Sequence, residues 1–211
     1  MTIKHHPQEA TLLAYATGNL PEAFSLIIAS HVSLCDHCRA IVESCDAVGG
    51  SVLEDVPEVA MQANSLDRAL AALDAPAPKP IRRKPGVLPA PLQAYVGGDL
   101  EAVKWRPVGM GVKHAILPTS TQASARLLRI PAGGAIPDHS HMGSELTLVL
   151  QGAFADEADH FARGDLEEAD GDVTHTPVAA PGDDCICLAV TDAPLAFKGW
   201  LPRVVQRFVG I

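Results

Sequence analysis

The residues whose types and spacing could best support chemistry are His31, Cys35 and Cys38, which follow the pattern H-x3-C-x2-C. If the segment from Ala23 onward is helical, His31 and Cys35 lie one turn apart on one face, and the C-x2-C spacing brings Cys38 alongside them. One imidazole and two thiols that converge on a point suit a zinc ion, which takes four ligands in a structural site. The spacing therefore predicts a closed zinc site near the start of the chain.

The fourth zinc ligand is expected upstream at His6, with the neighbouring His5 as the alternative. The two cysteines could also form a redox pair or be two buried thiols. A redox pair usually follows a strand in a βαβ unit, whereas this pair lies in a helical pattern with a histidine ahead of it. The pattern thus favours zinc. His37, between the cysteines, would point away from the site on a helix, and we expect it to be solvated.

A second group of candidate metal ligands lies in the C-terminal half of the chain and comprises His139, His141 and Glu145. The two histidines project from one face of an extended chain, and Glu145 returns from the following strand. Imidazoles combined with a carboxylate suit zinc, iron, manganese or nickel, and ligand type alone does not select among these metals. The group therefore predicts a divalent transition-metal site of open identity.

This second group resembles the first motif of the cupin family, G-x5-H-x-H-x3-E-x6-G, at every fixed position from Gly133 to Gly152. Residues 164–177 resemble the second cupin motif, which implies that His175 is the fourth metal ligand. The chain departs from the common form of that motif at three positions, Asp170, Asp172 and Ala179. The resemblance implies an all-β barrel that binds Zn2+ or another divalent transition metal.

The N-terminal pattern H-x24-H-x3-C-x2-C resembles the zinc-binding anti-sigma (ZAS) domain, which holds an extracytoplasmic-function (group IV) sigma factor inactive. A cupin follows it, as in the ChrR-type anti-sigma factors, and the resemblance covers nearly the whole chain. It implies a regulator without catalytic residues that forms a 1:1 complex with its sigma factor. It also implies that the cupin releases the sigma factor in response to singlet oxygen or related photo-oxidative stress.

The competing hypothesis is a metalloenzyme, in which a cupin dioxygenase or isomerase carries a small structural zinc module. Its support is the set of three histidines and one glutamate, which also occurs in cupin oxygenases. However, the sequence shows no additional acid, base or substrate clamp, and a fold alone does not confer activity. We therefore favour the regulator.

Helices must position the zinc ligands, and four are predicted within an N-terminal domain of residues 1–73. The first follows Pro7 and ends at Gly18, and the second begins at Pro21 and carries His31 toward its end. The third runs from residue 36 to 48, where two glycines break it, and the fourth from residue 57 to 73. A domain this small buries only about 60% of its unfolded surface, so bound zinc is expected to stabilise it.

A proline-rich linker is predicted at residues 74–94, followed by the cupin domain at residues 95–211. Short apolar runs separated by Gly, Pro and Asp indicate strands at residues 114–117, 125–130, 146–150 and 185–190. Cys185 and Cys187 share a face of the last run, are badly placed for a mutual disulfide, and are expected to be small core residues. The fold class is therefore a two-domain α+β protein, with a four-helix zinc-binding domain and an all-β cupin barrel.

The overall composition excludes several functions. A net charge of −9 argues against a nucleic-acid binder. The longest apolar run near the N-terminus, residues 24–29, is far too short to span a bilayer. Five cysteines and no signal-peptide pattern fit a reduced cytoplasm. We therefore expect a cytoplasmic protein that binds neither nucleic acid nor membranes.

The predicted helical domain is acidic, with three basic residues against nine acidic ones up to Leu73. Charge alone fits a solvated surface. Given the resemblance, we expect the acidic helices to meet a basic surface of the sigma factor. Apolar residues on the second and fourth helices would then supply most of the affinity.

Overall fold

A computed structural model describes the chain over residues 2–76, 85–136, 139–141, 143–157, 159–169, 174–193 and 195–197. In these ranges a group of helices packs against one face of a C-terminal β domain. Within the described ranges, the helices are all too short or too polar to cross a bilayer.

Four helices form the N-terminal part of the chain: α1 (Glu9–Ala16), α2 (Glu22–Val32), α3 (Asp36–Glu54) and α4 (Ser65–Leu73). The chain turns after α1 at Gly18, where φ is +70°, and Pro21 caps the start of α2, both as predicted. The prediction that Gly49 and Gly50 end the third helix was wrong. Glycine lowers helix propensity by about 1 kcal/mol but keeps its backbone N–H, so α3 continues through both residues.

A fifth helix, α5 (Ala90–Val96), overlaps the end of the segment predicted as a linker, residues 74–94. A proline occupies its first turn, where the missing N–H is not needed, and Gly97 ends it with a φ of +83°. Leu92 is fully buried in the same apolar cluster as α2. The prolines of this segment therefore start a helix that docks on the domain, and a four-helix description is incomplete.

The described residues of the C-terminal part form twelve strands in three antiparallel sheets, as predicted for a cupin. The strands are β1 (Arg106–Gly109), β2 (Val112–Leu117), β3 (Ser124–Ile130), β4 (His139–His141), β5 (Glu145–Gln151), β6 (Ala153–Ala155), β7 (His160–Ala162), β8 (Leu166–Ala169), β9 (Thr174–His175), β10 (Val178–Ala179), β11 (Cys185–Thr191) and β12 (Leu195–Phe197). The large sheet has the order β1-β2-β3-β11-β5-β8, and the smaller sheets are β10-β6-β7 and β12-β4-β9. All four runs predicted from apolar patterning are strands.

The two faces of the large sheet belong to different cores because side chains alternate along each strand. The outer face, which includes Leu127, Leu148 and Leu188, joins one apolar cluster with α1, α2, α3 and α5. The inner face, which includes Val149 and Cys187, packs with aromatic residues of the second sheet inside the barrel. The helices and the large sheet thus share a core.

We expect Leu188→Ala to lower the free energy of unfolding by about 2–5 kcal/mol, because it leaves a cavity at the centre of this shared core. Leu188 is fully buried and lies opposite Leu127 and Leu148 on the neighbouring strands. Denaturant unfolding followed by circular dichroism measures the change. The control Val52→Ala alters an exposed side chain and should cost less than about 0.5 kcal/mol. An unchanged midpoint for Leu188→Ala would contradict the shared core.

Candidate metal centre

Four side chains from three segments come together at the corner between α2 and α3. His6 lies in the extended segment before α1, and His31 in the last turn of α2. Cys35 caps the start of α3, and Cys38 lies in its first turn. One ligand atom from each of these residues lies within 4.8 Å of the others.

The distances within this cluster fit a tetrahedral metal ion. His6 Nδ1 lies 3.4 Å from Cys35 Sγ and 3.3 Å from Cys38 Sγ, and His31 Nε2 lies 3.3 Å from Cys38 Sγ. In a zinc site, bonds of about 2.1 Å to nitrogen and about 2.3 Å to sulfur place these atoms about 3.6 Å apart. Two imidazoles and two thiols at this spacing, with no position left for water, would form a closed structural site.

The chain reaches this geometry at the junction of two helices, near where the second helix was predicted to end and the third to begin. The helix α2 ends at Val32, and Cys35 has an extended conformation, with φ −113° and ψ 107°. The backbone N–H of Cys35 still donates to the carbonyl oxygen of His31 at 2.9 Å. The ligands are therefore held at a tight corner between two helices, which the H-x3-C spacing alone could not distinguish from one helical turn.

The structure separates the two alternatives for the fourth position, because His5 and His6 lie on different sides of the N-terminal segment. The His5 ring contacts the cupin domain, with Nε2 3.1 Å from Asp159 Oδ2 and its ring centroid 4.4 Å from that of Phe161. His6 faces the cysteines. His37 is exposed, as predicted, and its ring centroid lies 5.1 Å from that of His6.

Burial controls the protonation of the cluster. His31 and Cys38 are fully buried and Cys35 nearly so, whereas His6 is exposed. Burial, and then the neighbouring His6, lowers the pKa of His31 to about 4, so the ring is neutral and able to bind a metal at pH 7. Burial and the adjacent Cys35 raise the pKa of Cys38 to about 12. A metal must therefore displace the Cys38 proton.

The predicted cupin ligands lie on three strands, and the structure describes only part of them. The side chains of His139, His141 and His175 lie outside the described residues, but their backbones belong to paired strands, with position 139 opposite position 175. Glu145 begins β5 and is 8% exposed, and its Oε1 accepts a hydrogen bond from Thr147 Oγ1 at 3.2 Å. That these four residues bind one metal ion stays a prediction.

Two charged residues inside the barrel were missed by the sequence interpretation, Arg126 and Glu167. An Arg126 guanidinium N–H donates to His114 Nδ1 at 3.4 Å. Burial lowers the pKa of Arg126, and the charge of Glu145 opposes that shift, so the guanidinium partly balances the buried carboxylate. The sequence did contain a hint of Arg126. It lies two positions before Leu128 on a strand, so the two side chains share the inner face.

Cys185 and Cys187 are both buried on the inner face, as expected for small core residues. The Cys187 S–H donates a hydrogen bond to Cys185, and this bond, together with burial, raises the pKa of Cys187 well above its ordinary value. This thiol is therefore protonated at neutral pH.

Zinc loading of the helical cluster should release the proton of Cys38 at pH 7, because the pKa of this thiol is raised and only thiolates bind the metal. Titration calorimetry in two buffers of different ionisation enthalpy measures the number of protons released. The control Cys38→Ser removes one thiol and should lower the number of released protons by about one. Metal bound elsewhere in the chain affects both proteins equally, so the difference between them reports on Cys38. Proton competition also predicts that zinc affinity falls as the pH falls. A release that is equal in both proteins would contradict ligation by Cys38.

Comparison with known proteins yields full-length similarity. A sequence profile described as the ChrR Cupin-like domain matches residues 93–194. The anti-sigma-E factor ChrR of Cereibacter sphaeroides is 57% identical over 213 residues, which cover 100% of both chains. The crystal structure of Rhodobacter sphaeroides SigE in complex with the anti-sigma ChrR contains a chain that is 56% identical. That chain superposes with a TM-score of 0.82, over 90% of this chain and 100% of the other.

Proposed function

This chain belongs to the family of ChrR anti-sigma factors, and from that premise we propose that it binds an extracytoplasmic-function (group IV) sigma factor and keeps it inactive. The observation that carries the proposal is the 57% identity to an anti-sigma-E factor over the whole of both chains. The related ChrR chain of known structure is in complex with SigE. The full-length relationship gives no support to the metalloenzyme hypothesis.

The partner surface we assign consists of the second half of α3 together with α4. Leu66, Leu70 and Leu73 follow helical spacing on α4 and are 68%, 53% and 79% exposed. Val48 and Val52 make a similar exposed stripe on α3. Within the described residues, α4 buries none of its side chains. Exposed apolar stripes of this kind are typical of protein-binding sites.

This assignment corrects the expectation that α2 also contacts the sigma factor. The apolar residues of α2 are buried, including Phe24, Ile27 and Ile28, because the helix packs between α5 and the outer face of the large sheet. An apolar helix buried on several sides holds domains together and has no free face for a partner. The apolar contribution to sigma binding must then come from α3 and α4.

The charge of the assigned surface also suits a sigma factor. Residues 43–76 contain seven acidic residues and one basic residue. A surface with this balance would complement the basic side of a protein that binds DNA. Complementary charge accelerates encounter and fixes the orientation of the two proteins.

The two metal sites have separate roles in the proposal. Zn2+ bound by His6, His31, Cys35 and Cys38 would fix the corner from which α3 extends. In the cupin, His139, His141, Glu145 and His175 would hold Zn2+ or another divalent transition metal. This second site would sense singlet oxygen or a related photo-oxidative signal, and the complex would reside in the cytoplasm without direct contact to DNA.

Leu70→Asp should weaken sigma binding by at least about 30-fold, equivalent to about 2 kcal/mol, because it places a charge at the centre of an apolar contact. A binding titration with the cognate sigma factor and an in vitro transcription assay measure the effect. Met110→Asp is the matched control, since it changes another exposed apolar residue, in the turn between β1 and β2 of the cupin. Equal effects of the two substitutions would contradict the assigned surface.

Replacement of both His141 and Glu145 by Ala should preserve sigma binding and abolish release by singlet oxygen, because it removes two cupin metal ligands and leaves α3 and α4 unchanged. A sigma-dependent reporter, measured with a photosensitiser in light and in darkness, provides the readout. High reporter activity in darkness would mean that the cupin is needed for inhibition itself. Such a result would contradict its role as a sensor.

A further inference from the structure

The segment that carries His6 is attached to the cupin domain. The backbone N–H groups of Lys4 and His5 donate to Asp165 Oδ1 at 2.6 Å and 3.0 Å. The N–H of Leu166 donates to the carbonyl oxygen of His5 at 3.2 Å. The two residues directly ahead of His6 are therefore hydrogen-bonded along the start of β8.

Asp165 is itself firmly held. It is 3% exposed, and its Oδ2 accepts the backbone N–H of Ala162 at 2.8 Å. Burial opposes its ionisation, but the hydrogen bonds from the N–H groups of Ala162, Lys4 and His5 keep the pKa of Asp165 below its usual value. A buried carboxylate with three backbone donors is a rigid anchor for the N-terminal segment.

The chain on the other side of His6 is attached to the same strand. The backbone N–H of Gln8 donates to Glu168 Oε2 at 3.1 Å, and Thr11 Oγ1 donates to Glu168 Oε1 at 3.0 Å. His6 is thus bracketed by two carboxylates of the cupin domain. It is also the exposed member of the cluster, whereas the other three candidate ligands are buried and lie on α2 and at the start of α3.

We infer that Asp165 is a positioning residue for the metal cluster of the helical domain, because it fixes the backbone that delivers His6. The inference rests on the zinc site proposed above. It means that the helical domain supplies three ligands on its own elements and that the cupin domain holds the fourth in place. The affinity of the cluster for zinc then depends on how the two domains are docked.

The position of Asp165 also links the two proposed metal sites. The strand β8 begins at the residue after Asp165 and pairs with β5, where Ala169 lies opposite the cupin ligand candidate Glu145. A shift of β8 relative to β5 therefore changes the hold on His6. The short strand β8 thus pairs with the strand that carries Glu145, a candidate cupin ligand, and directly follows Asp165, which holds the segment carrying His6.

Asp165→Asn in the full chain tests the inference. Whichever way the new amide is oriented, its NH2 group faces backbone donors, either those of Lys4 and His5 or that of Ala162. The variant is expected to bind metal at the cysteine cluster about 10- to 100-fold more weakly, the range found when a group that orients a metal ligand is removed. Cobalt loading, followed by zinc displacement, measures this through the thiolate-to-cobalt charge-transfer band, which reports on cysteine ligands and not on the cupin set.

Two controls separate positioning from a general loss of stability. Asp159→Asn alters an exposed carboxylate, 63% exposed, that contacts only the His5 side chain among the N-terminal residues described, and should leave the affinity unchanged. Asp184→Asn breaks the cupin ion pair with Arg129 and should also leave it unchanged. If Asp165→Asn does not yield folded protein, Glu168→Gln is the second variant, and it should weaken the same band in the same direction.

A double-mutant cycle with His6→Ala gives the deciding result. If Asp165 acts through His6, Asp165→Asn should cause no further loss of affinity in the His6→Ala background. An equal loss in both backgrounds, or wild-type affinity in the single variant, would overturn the inference while leaving the proposed zinc site intact. A wild-type chain that shows no charge-transfer band would instead refute the zinc site and the inference with it. Sigma binding is measured separately and is not needed for either result.

Discussion

The packing of α2 against the outer face of the six-stranded sheet is the contact on which the rest of the structure depends. A helical domain of this size buries a small share of its unfolded surface and is only marginally stable by itself. Its fully buried residues Ile27 and Ile28 join the apolar cluster that also includes sheet residues such as Leu188. The candidate metal centre at the end of α2 is therefore built on a helix that the cupin domain supports.

Because side chains alternate along a strand, the inside of the cupin barrel lies close to the interface between the sheet and the helices. Glu145 faces the inside of the barrel, and the next residue, Leu146, belongs to the core shared with α2. Cys187 and Leu188 divide in the same way between the two faces of β11. Consecutive residues of a strand are about 3.4 Å apart, so a change at the inner face occurs one residue away from the helix interface.

Spacing and periodicity were sufficient for the parts of the molecule that are local in sequence, such as the H-x3-C-x2-C cluster and the apolar strands. They favoured His6 but left His5 as an alternative, because the course of this segment also involves its hydrogen bonds to Asp165, 160 residues further along the chain than His5. The apolar residues of α2 were expected to contact the sigma factor, because the sequence does not show which surface buries them. The sheet of the same chain covers them, which leaves α3 and α4 for another protein.

The geometry of α3 explains why a structural metal at its base matters for a surface at its tip. The helix has 19 residues and is anchored near its start, where Cys38 and Val42 are its buried residues. At 1.5 Å per residue it is about 28 Å long, so a tilt of about 10° at the corner moves its far end by about 5 Å. That displacement is as large as the separation of neighbouring side chains on a helix. If the proposed metal site and partner surface are correct, a modest change in the ligation by His6 would therefore be enough to misalign Val52 with a bound partner.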